Sequence, residues 1–324
     1  MRARHILLAL LLTLCGCAGQ SVTLSRLEPA ANGEAARMRT LAVGALRNDD
    51  GAVAGAALES ALSGVRLGSR PYFRLLAADA ELEEQIPGLR RRGVLAGVDG
   101  VVLGTVTYSD WRDRRSVRQR YVCVDYRDNG NCRKMASRDV RCVDREGVFA
   151  FTPRLVEAAT GRVVFAKEIS ETVGSSFCPG VENESPRSGA DLVAEARAHA
   201  MERFRDEIAP HFVRFDAPLL VDDDSAMPAG VKKSVDDGAA FAAAGDMGRA
   251  CSLWRAAEGA HKTGYAIPYL LGLCAESSGD EAEALRRYEL ASQRTSRPVP
   301  AVSDALARVR AAMASAPALR TQMR

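Results

Sequence analysis

The pattern of hydrophobic and polar positions changes character along the chain. An apolar run at residues 6–14 opens it. Between residues 39 and 215, short β-rich runs alternate with segments in which apolar residues recur at helical spacing, and from residue 231 to 315 the spacing is helical throughout. This pattern predicts an α+β domain, with a mixed, mostly antiparallel sheet and packed helices, followed by an all-α domain.

The α+β domain is predicted to end with a well-marked helix. Ser188, with Asp191 three residues later, opens this helix as a capping box does, and Pro210 stops it. Its expected buried positions are Val193, Ala196, Ala200, Phe204 and Ile208. The other predicted elements are strands at 40–46, 72–76, 100–108, 147–157 and 162–173, and helices at 54–65, 80–86 and 89–95.

The all-α domain shows an internal repeat. Gly238 and Gly272 are 34 positions apart, and the same offset joins Ala250 to Ala284 and Trp254 to Tyr288. A 34-residue period is that of tetratricopeptide repeats, in which small residues let two helices approach while an aromatic ring fills the groove between them. We therefore expect two such repeats. A last amphipathic helix, whose apolar positions are Val302, Leu306, Val309 and Met313, should cover their exposed end.

The apolar opening run is an export signal. Arg2 and Arg4 precede it, and it is too short to cross a bilayer, which takes about 20 residues. It ends in Leu14-Cys15-Gly16-Cys17, which resembles the lipobox of bacterial lipoproteins. The resemblance implies that residues 1–16 are removed and that Cys17 is acylated; the alternative is an ordinary signal peptide that is cut nearby. Ala18 instead of aspartate implies sorting to the periplasmic face of the outer membrane.

The remaining segments complete the predicted domain organisation. Residues 17–38 contain the lipidated cysteine and a flexible tether without sustained periodicity, and residues 39–215 form the α+β domain. Residues 216–230 are expected to be a linker, residues 231–315 the repeats with their capping helix, and residues 316–324 a tail.

Two segments of the α+β domain resemble motifs of one lipoprotein superfamily. Residues 97–106 read Gly-Val-Asp-Gly-Val-Val-Leu-Gly-Thr-Val, and residues 155–165 read Leu-Val-Glu-Ala-Ala-Thr-Gly-Arg-Val-Val-Phe. Both resemble segments of the superfamily that includes the curli secretion channel lipoprotein and the penicillin-binding-protein activator lipoprotein. The chain departs from the channel protein at residues 111–146, because a lipid-facing strand could not carry the many arginines found there.

Six cysteines follow the lipobox pair, and an even number in an exported chain favours disulfides. Cys123 and Cys132 flank the turn sequence Asp-Asn-Gly-Asn, and the hairpin register brings Cys142 within reach of Cys178. The rival pairing joins Cys123 to Cys142 and Cys132 to Cys178, and a zinc site made by these four cysteines is a further alternative, although their spacing does not fit it. Across the repeats, we expect a disulfide between Cys251 and Cys274, unless both stay small buried thiols.

No catalytic, cofactor-binding or metal-binding residue is predicted. His199, His211 and His261 lie in no metal or nucleophile motif, and the chain contains no Gly-x-Ser-x-Gly, His-Glu-x-x-His or P-loop sequence. Asp222, Asp223 and Asp224 lack EF-hand spacing, so a solvated hinge is favoured over a calcium site.

The segment from Trp111 to Glu146 is basic, although the whole chain has a net charge of only +3. It holds 11 Lys or Arg against six Asp or Glu, with Tyr121 and Tyr126 interleaved. Outside the cytoplasm the available polyanions are lipid phosphates and cell-wall polymers, so no nucleic acid is expected. The alternative is a solvated hairpin that binds nothing.

These patterns predict a membrane-anchored periplasmic adaptor rather than an enzyme. It would bind envelope protein partners through its helical repeats during cell-envelope assembly or export. The superfamily resemblance implies two alternatives, an activator of a cell-wall synthase and an oligomeric secretion-channel component. An enzyme with an unrecognised site is the third.

Overall fold

The computed structural model describes residues 20–77, 97–179, 181 and 185–324. The predicted signal peptide, Cys17 and the helices expected at 80–86 and 89–95 lie outside these residues. Two compact units are present. The sheet unit comprises Pro29–His211 with Ala318–Arg324, and the helical unit comprises the described residues up to Glu28 with Phe212–Pro317.

Strands dominate the first two thirds of the chain and helices the remainder. The strands are β1 (Ser21–Glu28), β2 (Thr40–Arg47), β3 (Arg66–Leu67), β4 (Arg70–Pro71), β5 (Arg74–Ala77), β6 (Gly100–Tyr126), β7 (Cys132–Glu157), β8 (Val163–Ala166), β9 (Ile169–Phe177) and β10 (His211–Pro218). The helices are α1 (Val53–Ser63), α2 (Gly189–Ile208), α3 (Ala229–Ala243), α4 (Met247–Ala260), α5 (Ala266–Ser277), α6 (Glu281–Gln293) and α7 (Pro300–Gln322). The predicted fold class, α+β followed by paired helices, is confirmed.

A mixed six-stranded sheet forms the centre of the sheet unit. Its order is β5-β2-β6-β7-β8, and β9 also pairs with β7. Strand β2 runs parallel to both of its neighbours, β5 and β6. The pairs β6–β7, β7–β8 and β7–β9 are antiparallel. Two predicted strand ends were wrong: β6 continues past Tyr108 and β7 begins before Gly147, so that residues 111–146 form one continuous hairpin.

Helix α2 packs its predicted face into the core of the sheet unit. The Ser188 side chain accepts a hydrogen bond from the Asp191 backbone N–H and so caps the helix. All five positions expected to be buried are buried. The Phe204 ring meets Phe151 of β7 and Phe165 of β8 at centroid distances of 6.2 and 5.4 Å. These contacts fix α2 across β7, where the long hairpin leaves the sheet.

The helical unit consists of two helix pairs, α3 with α4 and α5 with α6, followed by α7. A Cβ placed on Gly238 would lie 2.4 Å from the Trp254 ring nitrogen, and one on Gly272 would lie 2.3 Å from the Tyr288 ring. Ala250, Trp254, Ala284 and Tyr288 are buried. Both pairs therefore use the same close contact 34 residues apart. Their assignment as tetratricopeptide repeats stays a prediction.

The expected tether was wrong for residues 21–28. These residues form β1, which pairs with β10 and packs Val22 and Leu24 into the core of the helical unit beside α3 and α5. The physical reason is the alternation of apolar and polar residues in Ser-Val-Thr-Leu, which gives β1 one buried face. Residues 35–37 also form a short 3₁₀ helix, and β10 extends into the expected linker as far as Pro218.

Helix α7 differs from its prediction at two points. Its buried positions include Val302, Ala305, Val309 and Ala312, while Met313, which was expected to be buried, is exposed. The helix meets its neighbours through small residues, so the buried stripe is rotated from the one that larger side chains suggested. The helix also continues into the expected tail, where the Gln322 side chain accepts a 2.7 Å hydrogen bond from the Ala30 backbone N–H; both residues belong to the sheet unit.

A buried ion pair lies in the helical unit. The Glu276 carboxylate of α5 accepts two 2.7 Å hydrogen bonds from the Arg308 guanidinium of α7 and a third, also 2.7 Å, from the Tyr288 hydroxyl of α6. The Glu276 side chain is only 3% exposed. Burial raises the pKa of Tyr288 above its usual range, and the adjacent Glu276 charge raises it further. Three helices are thus joined through one carboxylate.

Candidate functional site

The exposed apolar side chains concentrate on the long hairpin. Within the described part of the chain, seven of the twelve large hydrophobic residues that are exposed lie between Tyr108 and Met135. We call residues 112–146, in which β6 and β7 run beyond Trp111 and Gly147, the arm. Beyond the pair formed by Val143 and Phe177, no third strand of the described residues accompanies them. From Val117 to Tyr126 the arm then extends for about 30 Å.

The root of the arm is held against the N-terminus of α2. The Trp111 ring lies on Gly189, where an added Cβ would be 2.2 Å from the ring. The Arg145 guanidinium stacks over the same ring at 4.7 Å and donates two hydrogen bonds, of 2.7 and 2.9 Å, to the Asp113 carboxylate. The hydrogen bond from Arg145 is the main reason that the pKa of Asp113 lies below its usual range. The arm therefore starts from a rigid base.

Two disulfides staple the arm. Cys142 bonds Cys178 just past the end of β9, and Cys123 bonds Cys132 across the tip, with Cα–Cα distances of 4.1 and 5.6 Å. This is the first of the two pairings that the sequence left open. A third disulfide joins Cys251 to Cys274 in the helical unit. Because the bonds close loops within the native structure, they favour the ordered arm over unfolded conformations.

The two faces of the arm differ in chemistry. In an antiparallel ladder, paired residues share a face and successive pairs alternate between faces. One face, which we call the apolar face for its exposed Val117, Tyr121 and Met135, holds the cross-strand pairs 117/141, 119/139, 121/137 and 123/135. These three side chains are 66%, 70% and 51% exposed, and the same face also carries polar residues, which are Gln119, Ser137, Asp139 and Arg141. The arginine face holds the alternate pairs from 112/146 to 122/136, and most of its residues from Ser116 outward are half-buried.

The sequence located the arm but missed its division into two faces. Residues 116–122, Ser-Val-Arg-Gln-Arg-Tyr-Val, place Val117 and Tyr121 on one side and Arg118 and Arg120 on the other once they adopt a strand. The signal that could have shown the two faces was the alternation of these residue types with a period of two. Abundant charge concealed it, since charged residues are depleted in strands.

The two superfamily-like segments meet in a small polar groove. Asp99 of the first segment accepts 2.8 Å hydrogen bonds from the backbone N–H groups of Arg39 and Thr40, and its carbonyl accepts one from Ala158 of the second. The groove, of about 290 Å³, also contains Arg162, which is paired with Glu34 at 2.7 Å. These contacts fix the start of β2 beside β6, so the motif residues act in folding this corner of the sheet.

Of the remaining candidate residues, His261 and Asp223 both contact Ser225, whereas His199 and His211 lie elsewhere in the fold. His199 is exposed, and His211 lies 3.3 Å from the Ala209 carbonyl. The Asp223 carboxylate caps α5 by accepting a hydrogen bond from the Ala266 backbone N–H, a role that its place in a predicted hinge did not suggest. The Ser225 hydroxyl lies 2.9 Å from His261 Nε2 and also contacts Asp223.

Neither a metal cluster nor a membrane-spanning helix is found where the structure describes the chain. Over residues 20–77, 97–179, 181 and 185–324, no three His, Cys, Asp or Glu side chains are grouped so that they could hold a metal ion. Over the same residues, no helix combines the length and the apolar character needed to cross a bilayer.

Comparison with known proteins gives distant structural similarity alone. No protein-family model matches the chain, and no curated protein matches it. The PelC dodecamer from Paraburkholderia phytofirmans is 16% identical, covering 56% of this chain and 95% of that one, with a TM-score of 0.25. Lipoprotein GNA1162 from Neisseria meningitidis is 14% identical, covering 52% of this chain and 99% of that one, also with a TM-score of 0.25.

Proposed function

We propose that this chain is a lipoprotein of the bacterial outer membrane, anchored by acylated Cys17, which acts as a protein-binding adaptor in envelope assembly or export. The signal sequence and the residues that precede Cys17 support export and anchoring. The three disulfides support an oxidising compartment such as the periplasm. The adaptor binds its partner without chemistry of its own.

The apolar face of the arm is the observation that carries the adaptor role. Tyr and Met are enriched at protein interfaces, and exposed apolar side chains that share one rigid surface form the kind of patch that a partner covers. Val117, Tyr121 and Met135 meet this description. The arm's two disulfides and its fixed root reduce the loss of conformational entropy on binding.

The helical repeats, which we expected from the sequence to carry the binding surface, are a weaker candidate for the partner site. Helices α3 and α5 are the first helices of the two pairs, and β1 packs against both. Val22 and Leu24 of β1 are buried there together with Ala217 of β10. The chain's own strands thus occupy the side of the helices that would otherwise be available for a partner.

Site-specific crosslinking in intact cells tests the proposed function. A photo-reactive amino acid in place of Tyr121 is expected to give one discrete adduct, while the same group in place of the exposed Glu59 of α1 gives none. Mass spectrometry of the adduct identifies the partner. If this is a cell-wall synthase, the adaptor is a synthase activator.

The purified partner then provides the quantitative test. Tyr121→Ala is expected to weaken binding by about 30-fold, the effect of removing a central interface aromatic residue worth about 2 kcal/mol. Val163→Ala, an exposed hydrophobic residue outside the arm, should leave the Kd unchanged. Equal adducts at both crosslinking positions, or an unchanged Kd for Tyr121→Ala, would rule out the apolar face as the partner site.

A further inference from the structure

The first described strand follows the proposed lipid attachment site almost directly. Only Ala18 and Gly19 separate Cys17 from Gln20, where the described part of the chain begins. Consecutive Cα atoms are about 3.8 Å apart, so the three steps from Cys17 to Gln20 span at most about 11 Å in any conformation. Covalent geometry alone therefore limits how far Gln20 can lie from an acyl anchor.

Strand β1 is a fixed part of the helical unit. Its Val22 and Leu24 side chains are buried in the core of that unit beside α3 and α5. At the start of the strand, the Gln20 carbonyl accepts a 2.7 Å hydrogen bond from the Leu219 backbone N–H. Any limit on the position of Gln20 is therefore also a limit on the position of the helices.

Arg26 extends the attachment of β1 to the last helix. Its guanidinium donates a 3.2 Å hydrogen bond to the Arg308 carbonyl of α7 and lies 3.9 Å from the Glu276 carboxylate of α5. The same guanidinium stacks over the Phe215 ring of β10, 5.9 Å from the ring centre. Because Glu276 also joins α5, α6 and α7, the strand is connected to the buried polar centre of the helical unit.

The end of the helical unit around Gln20 is polar. Gln20, Ser21 and Pro218 are exposed there. None of the large hydrophobic side chains that are exposed in the described chain lies within residues 20–24 or 215–224. Burying such a polar end in hydrocarbon would be costly, whereas the hydrated headgroup layer, about 6 Å thick on each side of a bilayer, accommodates it.

We infer that the helical unit rests on the membrane surface, with its end around Gln20 against the lipid headgroups. The inference rests on the proposed acylation of Cys17, which places this cysteine at the boundary of the hydrocarbon. A chain of about 11 Å that starts there and crosses a headgroup layer of about 6 Å leaves Gln20 no more than about 5 Å above that layer. Strand β1 passes this constraint to the helices, so the anchor holds a folded surface to the membrane.

A fluorescent amino acid in place of the exposed Pro218 tests this inference. The neighbouring Leu219 is bonded to Gln20, so position 218 lies within about 20 Å of the Cys17 Cα atom. The acylated protein is inserted from outside into vesicles of phosphatidylethanolamine and phosphatidylglycerol that carry an energy-transfer acceptor on their headgroups. The donor is expected within about 20 Å of the acceptors. Quenchers fixed on the acyl chains should leave it unaffected.

A spacer variant lengthens the free chain without altering any residue of the folded unit. About twenty glycine and serine residues inserted between Gly19 and Gln20 add roughly 25 Å of mean reach. The distance from the donor to the acceptors should therefore increase, and energy transfer should fall.

A second variant releases the strand itself. Val22→Ser with Leu24→Ser removes the two buried side chains of β1 and should likewise move the donor away from the acceptors. Ser21→Ala with Ser25→Ala changes exposed positions of the same strand and should leave the distance unchanged. If the variant at positions 22 and 24 does not fold, the spacer variant decides the question.

Two results would overturn the inference. One is a parent protein whose donor is as far from the headgroup acceptors as the donor of the spacer variant, and the other is a donor quenched from the acyl chains. The mass of the N-terminal peptide establishes separately whether Cys17 is acylated, and crosslinking at Tyr121 tests the adaptor role. An acylated, crosslinked protein whose donor lies far from the headgroups would contradict this inference alone.

Discussion

Glu276→Ala is expected to destabilise the helical unit by about 3–5 kcal/mol. The substitution leaves the Arg308 guanidinium without its two hydrogen bonds and the buried Tyr288 hydroxyl without its acceptor. Breaking a buried pair costs far more than the pair contributes relative to an apolar replacement, because one charge stays in a poorly solvated site. Urea unfolding followed by the fluorescence of Trp254, which is buried in the same unit, measures the loss.

A matched control is available on the surface of the same helices. Glu289 of α6 pairs with Arg310 of α7 at 3.1 Å, but both side chains are exposed. Glu289→Ala should therefore change the unfolding free energy by less than about 1 kcal/mol. A loss of similar size for both variants, or none for Glu276→Ala, would contradict the role assigned to the buried carboxylate.

Gly272→Ala is expected to destabilise the helical unit by about 1–3 kcal/mol, although alanine is the better helix former. The added Cβ would lie 2.3 Å from the Tyr288 ring, so the ring or one of the helices must move. Gly238→Ala should have a similar effect through Trp254, since the corresponding distance is 2.4 Å. The same urea titration measures both variants.

The control for these two substitutions makes the same chemical change without the contact. Gly259 lies in α4, and a Cβ added there would meet no neighbouring atom of the described residues within 4 Å. Gly259→Ala should therefore be neutral or stabilise by up to about 1 kcal/mol. The account requires that Gly272→Ala lowers the unfolding free energy and that Gly259→Ala does not. If all three alanine variants were equally stable, the small residues of the two helix pairs would not be packing determinants.

Features encoded by neighbouring residues could be predicted from the sequence. The Ser188 cap and the buried face of α2 follow from a spacing of three and four residues, and the tip disulfide follows from the turn between Cys123 and Cys132. The packing of Gly272 against Tyr288 likewise follows from the 34-residue repeat. In each case the residues that determine the feature lie in the same helix or turn, or in adjacent helices.

Features that depend on distant partners could not be predicted. The alternation in β1 is short, and it becomes a strand only because β10 lies beside it; the Thr23 hydroxyl donates a hydrogen bond to Asp216, which is 193 residues away. The exposure of Met313 depends on how closely α7 approaches its neighbours. The arm is a strand pair because β6 and β7, which already pair in the core as at Val102 and Leu155, stay paired outward beyond a one-residue register shift between Val106 and Tyr108. Local charge then affects which partners the arm can bind, but it does not determine the backbone conformation of the arm.

The mass of the mature protein's N-terminal peptide tests the central claim, that the chain works as a lipid-anchored protein of the envelope. The account predicts a peptide that begins at Cys17 and carries acyl chains, and it predicts that Cys17→Ser abolishes this processing. A mature N-terminus at another residue, or an unmodified Cys17 thiol, would contradict it.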